Sequence, residues 1–281
     1  MAAVAVLALA GNSEANAISL GTAANYAVLG VGGAVNFSDF EVYQSGTVVK
    51  GNVGMGPHSE LTHNIDATIT GNFDYDLTST LNGKSTSGVQ GSVRQIDMSG
   101  VVADARNAST TAAGLAPTQT FATLSEGQTI VGGAGLNVIR VTGDVSIKTA
   151  LTIQGPSNSE FVFQFTSPTA DGSDVLNLSG MTMMLTGGLD VRNLTWDLNG
   201  LGGGININAG SIVYGNFLAP DRDILGDHAN VLKGRLIGGG SGNLLSLHST
   251  SFVTASEGGS TFLMLSMGIG MLAAAKRRFL P

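Results

Sequence analysis

The sequence predicts a mainly β chain: a Gly-rich, β-solenoid-like domain with one flanking helix at about residues 99–115, plus a C-terminal transmembrane helix. Three observations carry this expectation. Glycine supplies 41 of 281 residues, about twice its ordinary share, while charged residues make up only 12%. A short pattern, apolar-x-Gly-x-apolar, keeps returning at intervals near 20 residues. Both ends of the chain carry uncharged apolar runs of the kind that address membranes. A β-sandwich is the alternative, but it would place turn signals every 8 to 12 residues.

From the N-terminus, residues 1–17 read as a signal peptide. Met1 to Ala10 is an apolar run with no preceding Lys or Arg, and Ala15-Asn16-Ala17 supplies the small-x-small tripeptide that signal peptidase accepts. Residues 18–253 then form one β-rich domain. Its repeat appears as Val49-Lys50-Gly51-Asn52-Val53, Ile69-Thr70-Gly71-Asn72-Phe73 and Val89-Gln90-Gly91-Ser92-Val93. It recurs as Val141-Thr142-Gly143-Asp144-Val145, Val213-Tyr214-Gly215-Asn216-Phe217 and Leu232-Lys233-Gly234-Arg235-Leu236. Alternate strand residues share a face, so the apolar pair and the Gly are expected inside, with Lys50/Asn52 and their equivalents outside. A fixed period suits a stack of coils, each burying its inner side against its neighbours.

Further strands are expected at 137–140, 151–153, 161–165, 175–178 and 205–208. From Asp97 to Leu115 the periodicity changes. Val101, Ala105, Ala108, Ala112 and Leu115 recur at 4-3-4-3 spacing, which marks one helical face; Ser99 is the expected N-cap, and Gly114 with Pro117 the stop. Residues 254–281 read as a sorting or anchor segment. Phe262 to Ala275 is uncharged, and Lys276-Arg277-Arg278 follows at once, a basic cluster expected to stay in the cytoplasm.

Composition excludes several functional classes. Thirteen Lys+Arg against 20 Asp+Glu give a net charge of −7, the wrong sign for a nucleic-acid binder. There is no Cys, so neither a disulfide scaffold nor a thiol nucleophile exists. At 43% hydrophobic the chain is too apolar for a disordered tail.

The stretch Glu257-Gly258-Gly259-Ser260-Thr261, the apolar run and the basic cluster together resemble the exosortase-type sorting signals of the PEP-CTERM group, in the variant reading Val-Pro-Asp-x-Gly-Ser-Thr. Ala255 and Ser256 depart from its Val-Pro. That resemblance implies an exosortase-like processing enzyme, transient inner-membrane anchoring and release to the cell surface. Gly135 to Ile139, Leu151 to Gly155, Phe161 to Phe165, Asn193 to Leu198, Gly215 to Pro220 and Gly234 to Gly239 resemble the choice-of-anchor A domain family. This implies a surface or matrix role and supplies no catalytic residue. The same stretches have a distant likeness to ice-binding-like solenoids, which also carry one long helix beside their coils.

No metalloprotease, nucleophile-elbow or P-loop motif is present. His58, His63, His228 and His248 are scattered. Asp221, Asp223 and Asp227 offer carboxylates to Ca²⁺, but Arg222 intervenes and an exposed polar turn is the ordinary explanation. A glycosidase pair drawn from Asp74, Asp76, Glu160 or Asp171 has nothing to bring two acids together. An ice-binding face needs an outward Thr ladder, and Thr68 with Thr70 is the one Thr-x-Thr in the repeats; Trp196 is a lone sugar-stacking candidate. The expectation is therefore a non-enzymatic exported protein without metal or cofactor. It is processed by signal peptidase and an exosortase-like enzyme, and acts in adhesion or matrix structure, with extracellular polysaccharide or matrix as partner. The alternatives are a polysaccharide-active enzyme and a glycan- or ice-binding module.

Overall fold

A computed structural model describes residues 17–32, 38–43, 45–167, 174–240 and 242–255. Every strand pairing among them is parallel, which excludes the antiparallel sandwich and bears out the coiled stack. One turn of the early coils takes 20 residues: Val53 pairs with Phe73, and Phe73 with Val93. Each coil contributes to three faces. One is covered by the helix, a second is open, and a third is polar.

The repeated Gly marks the bend between the helix-covered and open faces, which corrects the expected inward row. Val48–Lys50 ends on one side of Gly51 and Asn52–Met55 begins on the other. Gly71 N donates to the Gly51 carbonyl and Gly91 N to the Gly71 carbonyl, both at 3.1 Å, so the bends stack. A Cβ on Gly71 would meet the Gly51 carbonyl oxygen at 2.5 Å, leaving no room for a side chain. Asparagines reinforce this corner. Asn52 Oδ1 accepts from Asn72 N at 2.9 Å, and Asn72 Oδ1 accepts from Ser92 N at 3.0 Å.

The chain enters the stack in its middle. Tyr26–Gly30 lies between Asn52–Met55 and Asn230–Gly238, and the following coils proceed outward to Val93–Ile96 at one end. The helix Ser99–Gly114 then returns along the face, and winding resumes from Gln119–Phe121 at the far end. Sixteen helical residues span about 24 Å, roughly five strand spacings. Ser99 is the first helical residue rather than its cap: Met98 occupies the cap position, and the Asp97 carboxylate accepts from Ser99 N at 2.9 Å. The buried stripe is Val102, Ala105, Ala108, Ser109 and Ala112, with Val101 and Leu115 only partly covered. Small side chains let the helix lie close on Leu29, Val162, Leu218 and Ile237.

The larger apolar cluster among the described residues runs from Ala27 to Val253, and a second lies between the helix and the coils. Phe163, Trp196 and Phe217 occupy successive coils in register, their rings stacked at 4.2 and 5.9 Å. Trp196 is fully buried, so it is a core residue and not a sugar platform. Among the described residues no helix is long and apolar enough to cross a membrane. The expected signal peptide up to Asn16, the motif Glu257 to Thr261, the run Phe262 to Ala275 and the cluster Lys276-Arg277-Arg278 lie outside the described residues.

Candidate functional site

The open face is built from eight short parallel strand segments. Its inward side chains, Ile130, Leu151, Ile153, Met183, Val213, Val231, Val253, Val49 and Ile69, are buried in the core. Alternation then sends their neighbours outward. Thr129 pairs with Thr152, which pairs with Met184. Val131 pairs with Gln154, which pairs with Thr186. A longer ladder runs Thr182, Ile212, Asn230, Phe252, Val48, Thr68. Tyr214 pairs with Leu232, and Thr254 with Lys50.

Neighbouring outward side chains are therefore about 4.8 Å apart across strands and about 6.7 Å apart along them. Lys50 is the one charge among these positions, and its ammonium lies over the Phe252 ring at 5.2 Å. Val131 and Met184 are 55% and 47% exposed, so apolar groups stand in water beside the threonines. Nothing in the helix touches this side; its contacts are with the opposite limb of the coils.

The polar face is chemically different. One ladder there reads Ser146, Asn177, Asn206, Leu225, Ser246, Glu41. His63 Nδ1 lies 3.1 Å from Glu41, and the His63 ring stacks on Tyr43 at 4.3 Å. His228 and His248 both approach Asp227 Oδ1, at 2.9 and 3.3 Å. A hydrogen bond from Ser249, helped by the two imidazoles, holds the Asp227 carboxyl below its ordinary range.

The residues singled out from sequence are dispersed. Asp221 pairs with Arg106 at 3.0 Å, Asp223 accepts from Leu244 N at 2.6 Å, and Asp227 meets the histidines; the three do not converge. Among the described residues no group of three His, Cys, Asp or Glu is placed to hold a metal ion. Asp74 is buried and clamped by Arg94 Nε and Nη2, both at 2.7 Å, with Tyr26 OH at 3.0 Å. Asp76 accepts from Met98 N at 2.8 Å, Glu160 accepts from Ala17 N at 2.8 Å, and Asp171 lies outside the described residues. Thr68 does sit on the open face; Thr70, just past its strand, accepts from Gly51 N. Thr129, Thr152, Thr182, Thr186 and Thr254 were not legible as its companions. They come together through lateral register between distant segments, whereas a Thr-x-Thr search looks along a single strand.

The family model described as Ice-binding-like matches residues 41–249. This overturns the choice-of-anchor A resemblance; the tail residues Glu257 to Arg278 lie outside the matched stretch. The residues that suggested it, alternating apolar strands and Gly bends, are what any stacked parallel coil requires. No curated protein matches the chain in sequence. Among solved structures, an ice-binding protein from an Arctic yeast is 19% identical with a TM-score of 0.54, covering 85% of this chain and 94% of its own. An ice-binding protein from an Antarctic Flavobacteriaceae bacterium is 20% identical with a TM-score of 0.53, covering 85% and 47%. At such identity the likeness shows the fold alone.

Proposed function

The chain belongs to the ice-binding-like family, and from that premise we propose that it is an exported, non-enzymatic protein that binds ice through its open face. This replaces adhesion or matrix structure as the leading role. The observation that carries it is the open face itself: a parallel sheet whose paired outward positions present Thr, Val, Met, Ile and Leu beside Gln154, Asn230, Tyr214 and Phe252, with Lys50 as their one charge.

The chemistry follows from that surface. Threonine hydroxyls donate to and accept from water, while the methyl groups beside them cannot and so restrict the orientations of the water over them. Strands stacked in parallel hold both at fixed spacing, and the buried inner row leaves little freedom to move. Water above the face is thereby biased toward a lattice before ice arrives. Adsorption then requires no large rearrangement of the protein.

The test is a pair of matched substitutions. Thr152→Lys places a long cation between Thr129 and Met184 on the open face, and Asn206→Lys places one between Asn177 and Leu225 on the polar face. Thr152→Lys is expected to abolish thermal hysteresis and inhibition of ice recrystallisation, with an unchanged melting temperature. Asn206→Lys is expected to keep both activities. Equal loss in the two variants, or no ice activity in the parent, would remove the proposal.

A further inference from the structure

The point where the chain enters the fold carries a contact that ice binding does not use. Ile18 and Leu20 are buried in the apolar cluster that also holds Tyr26, Val102 and Ala105. Just ahead of them, Ala17 N donates to Glu160 Oε2 at 2.8 Å, across 143 residues of sequence. The Ile18 N–H is directed at the same carboxylate. Glu160 lies in Ser159–Phe165 and is half-buried; desolvation pushes its carboxyl up although both backbone donors pull it down. A partly dehydrated anion is thus aimed at two successive main-chain nitrogens, and both are uncharged amides in the uncut chain.

These two nitrogens flank the bond that follows the small-x-small tripeptide Ala15-Asn16-Ala17. We propose that Ala17–Ile18 is the maturation bond and that the α-ammonium it releases on Ile18 docks on Glu160, an ion pair that fastens the N-terminal segment of the mature protein. The proposal rests on the export reading above. A signal-peptidase-class protease adds water across the Ala17 carbonyl, the C–N bond breaks, and Ala17 leaves as the carboxylate end of the leader. The Ile18 nitrogen takes up protons to become an ammonium at neutral pH. The amide donor lost with Ala17 is replaced by the additional N–H groups on Ile18, now charge-assisted. Ile18 and Leu20 are already seated, so the new charge forms beside its acceptor. A terminus one residue longer would place its ammonium where Ala17 N now meets Glu160, whereas a terminus three residues longer would carry it two residues past that contact.

The experiment uses the full 281-residue chain, produced in a bacterial host and recovered outside the cytoplasm. Intact mass is expected to show Ile18 as the first residue. Glu160→Gln is then expected to lower the melting temperature by about 4 °C. The same substitution is expected to lower it clearly less in a chain with three Ala inserted between Ala17 and Ile18, verified by mass to begin at the first of them, because that ammonium stands two residues beyond the place of Ala17 N. A first residue other than Ile18 overturns the maturation bond. Ile18 at the terminus with equal Glu160→Gln effects in both frames overturns the docking. A chain retained uncut in the cytoplasm overturns both, and the export reading with them; hysteresis measured on that same material reports on the open face separately.

Discussion

Replacing Trp196 tests whether the stacked rings hold the coils in register. Trp196 is the one tryptophan of the chain, fully buried, with its ring 4.2 Å from Phe163 at 12° and 5.9 Å from Phe217 at 9°. Its Nε1 donates to the Tyr214 carbonyl at 3.0 Å, at the bend leading onto the open face. Trp196→Ala removes a large buried side chain, about 3–5 kcal/mol for transfer and cavity together. It also deletes three ring pairs, with Phe163, Phe217 and, at 6.2 Å, Phe165, about 0.5–1.5 kcal/mol each. Part of that is already counted in the burial, so about 5 kcal/mol is the working figure. At this chain length it corresponds to a fall in melting temperature of roughly 10–20 °C. Trp196→Phe keeps a ring between its two neighbours and loses the indole donor, for about 1–2 kcal/mol. Urea unfolding followed by far-ultraviolet circular dichroism reads both variants on one scale, since tryptophan fluorescence is lost with the side chain. Trp196→Ala within 1 kcal/mol of the parent would refute the ladder. Trp196→Phe as damaging as Trp196→Ala would shift the role to the hydrogen bond on Tyr214.

Three further outcomes follow from single positions. A Cβ on Gly234 would overlap the Gly215 carbonyl oxygen of the next coil, so Gly234→Ala is expected to cost about 1–3 kcal/mol in urea unfolding. Gly100, in the helix with nothing within 4 Å of its would-be Cβ, is expected to respond with the opposite sign, a gain of about 0.5 kcal/mol in Gly100→Ala. Asp197 lies beneath the helix with the Ser109 hydroxyl at 2.5 Å, and burial pushes its carboxyl up to about 7. The folded state therefore holds a proton that the unfolded chain releases near pH 4, and stability falls as pH rises from about 4 to about 7. Asp197→Asn is expected to remove up to about 4 kcal/mol of that fall, seen as a flatter plot of stability against pH than the parent's; parallel plots would show that Asp197 ionises normally.

Much of the architecture was legible because the coil is a local, repeating solution. The 20-residue interval from Gly51 to Gly71 to Gly91 reports the length of one turn, and the 4-3-4-3 spacing from Val101 to Leu115 reports the helix. The Gly was assigned to the wrong place for a physical reason. Strict alternation puts Val49, Gly51 and Val53 on one side, but the chain bends at Gly51, with φ at +138°, and the alternation restarts on another face. For the same reason Lys50 and Asn52 do not form one outward pair. Lys50 belongs to the open face, while Asn52 reaches back to the Asn25 carbonyl at 3.0 Å. Ala105, Ala108 and Ala112 lie on the buried stripe as their spacing implies, and only at its ends do Val102 and Ser109 take over from the partly covered Val101 and Leu115, where Leu29, Val162, Leu218 and Ile237 admit the helix.

The open face was the least legible part, and the path of the chain explains why. Its ladder Ile212, Asn230, Phe252, Val48, Thr68 passes from the last coils of the sequence directly to the first. Phe252 and Val48 are neighbours because the first described strand lies in the middle of the stack, the chain leaves by the helix, and it winds back until Phe252–Thr254 pairs with Val48–Lys50. A continuous face of this kind exists only when both halves are folded and in register. The helix that carries the chain between the two ends also decides which face is free: it covers the limb containing Leu29 and Leu218 and leaves the limb containing Thr152, Met184 and Thr68 to water. A shift of one coil at the Phe252–Val48 seam would therefore break the ladder without altering any single strand. That makes the seam, rather than any one threonine, the feature on which the proposed ice-binding surface depends.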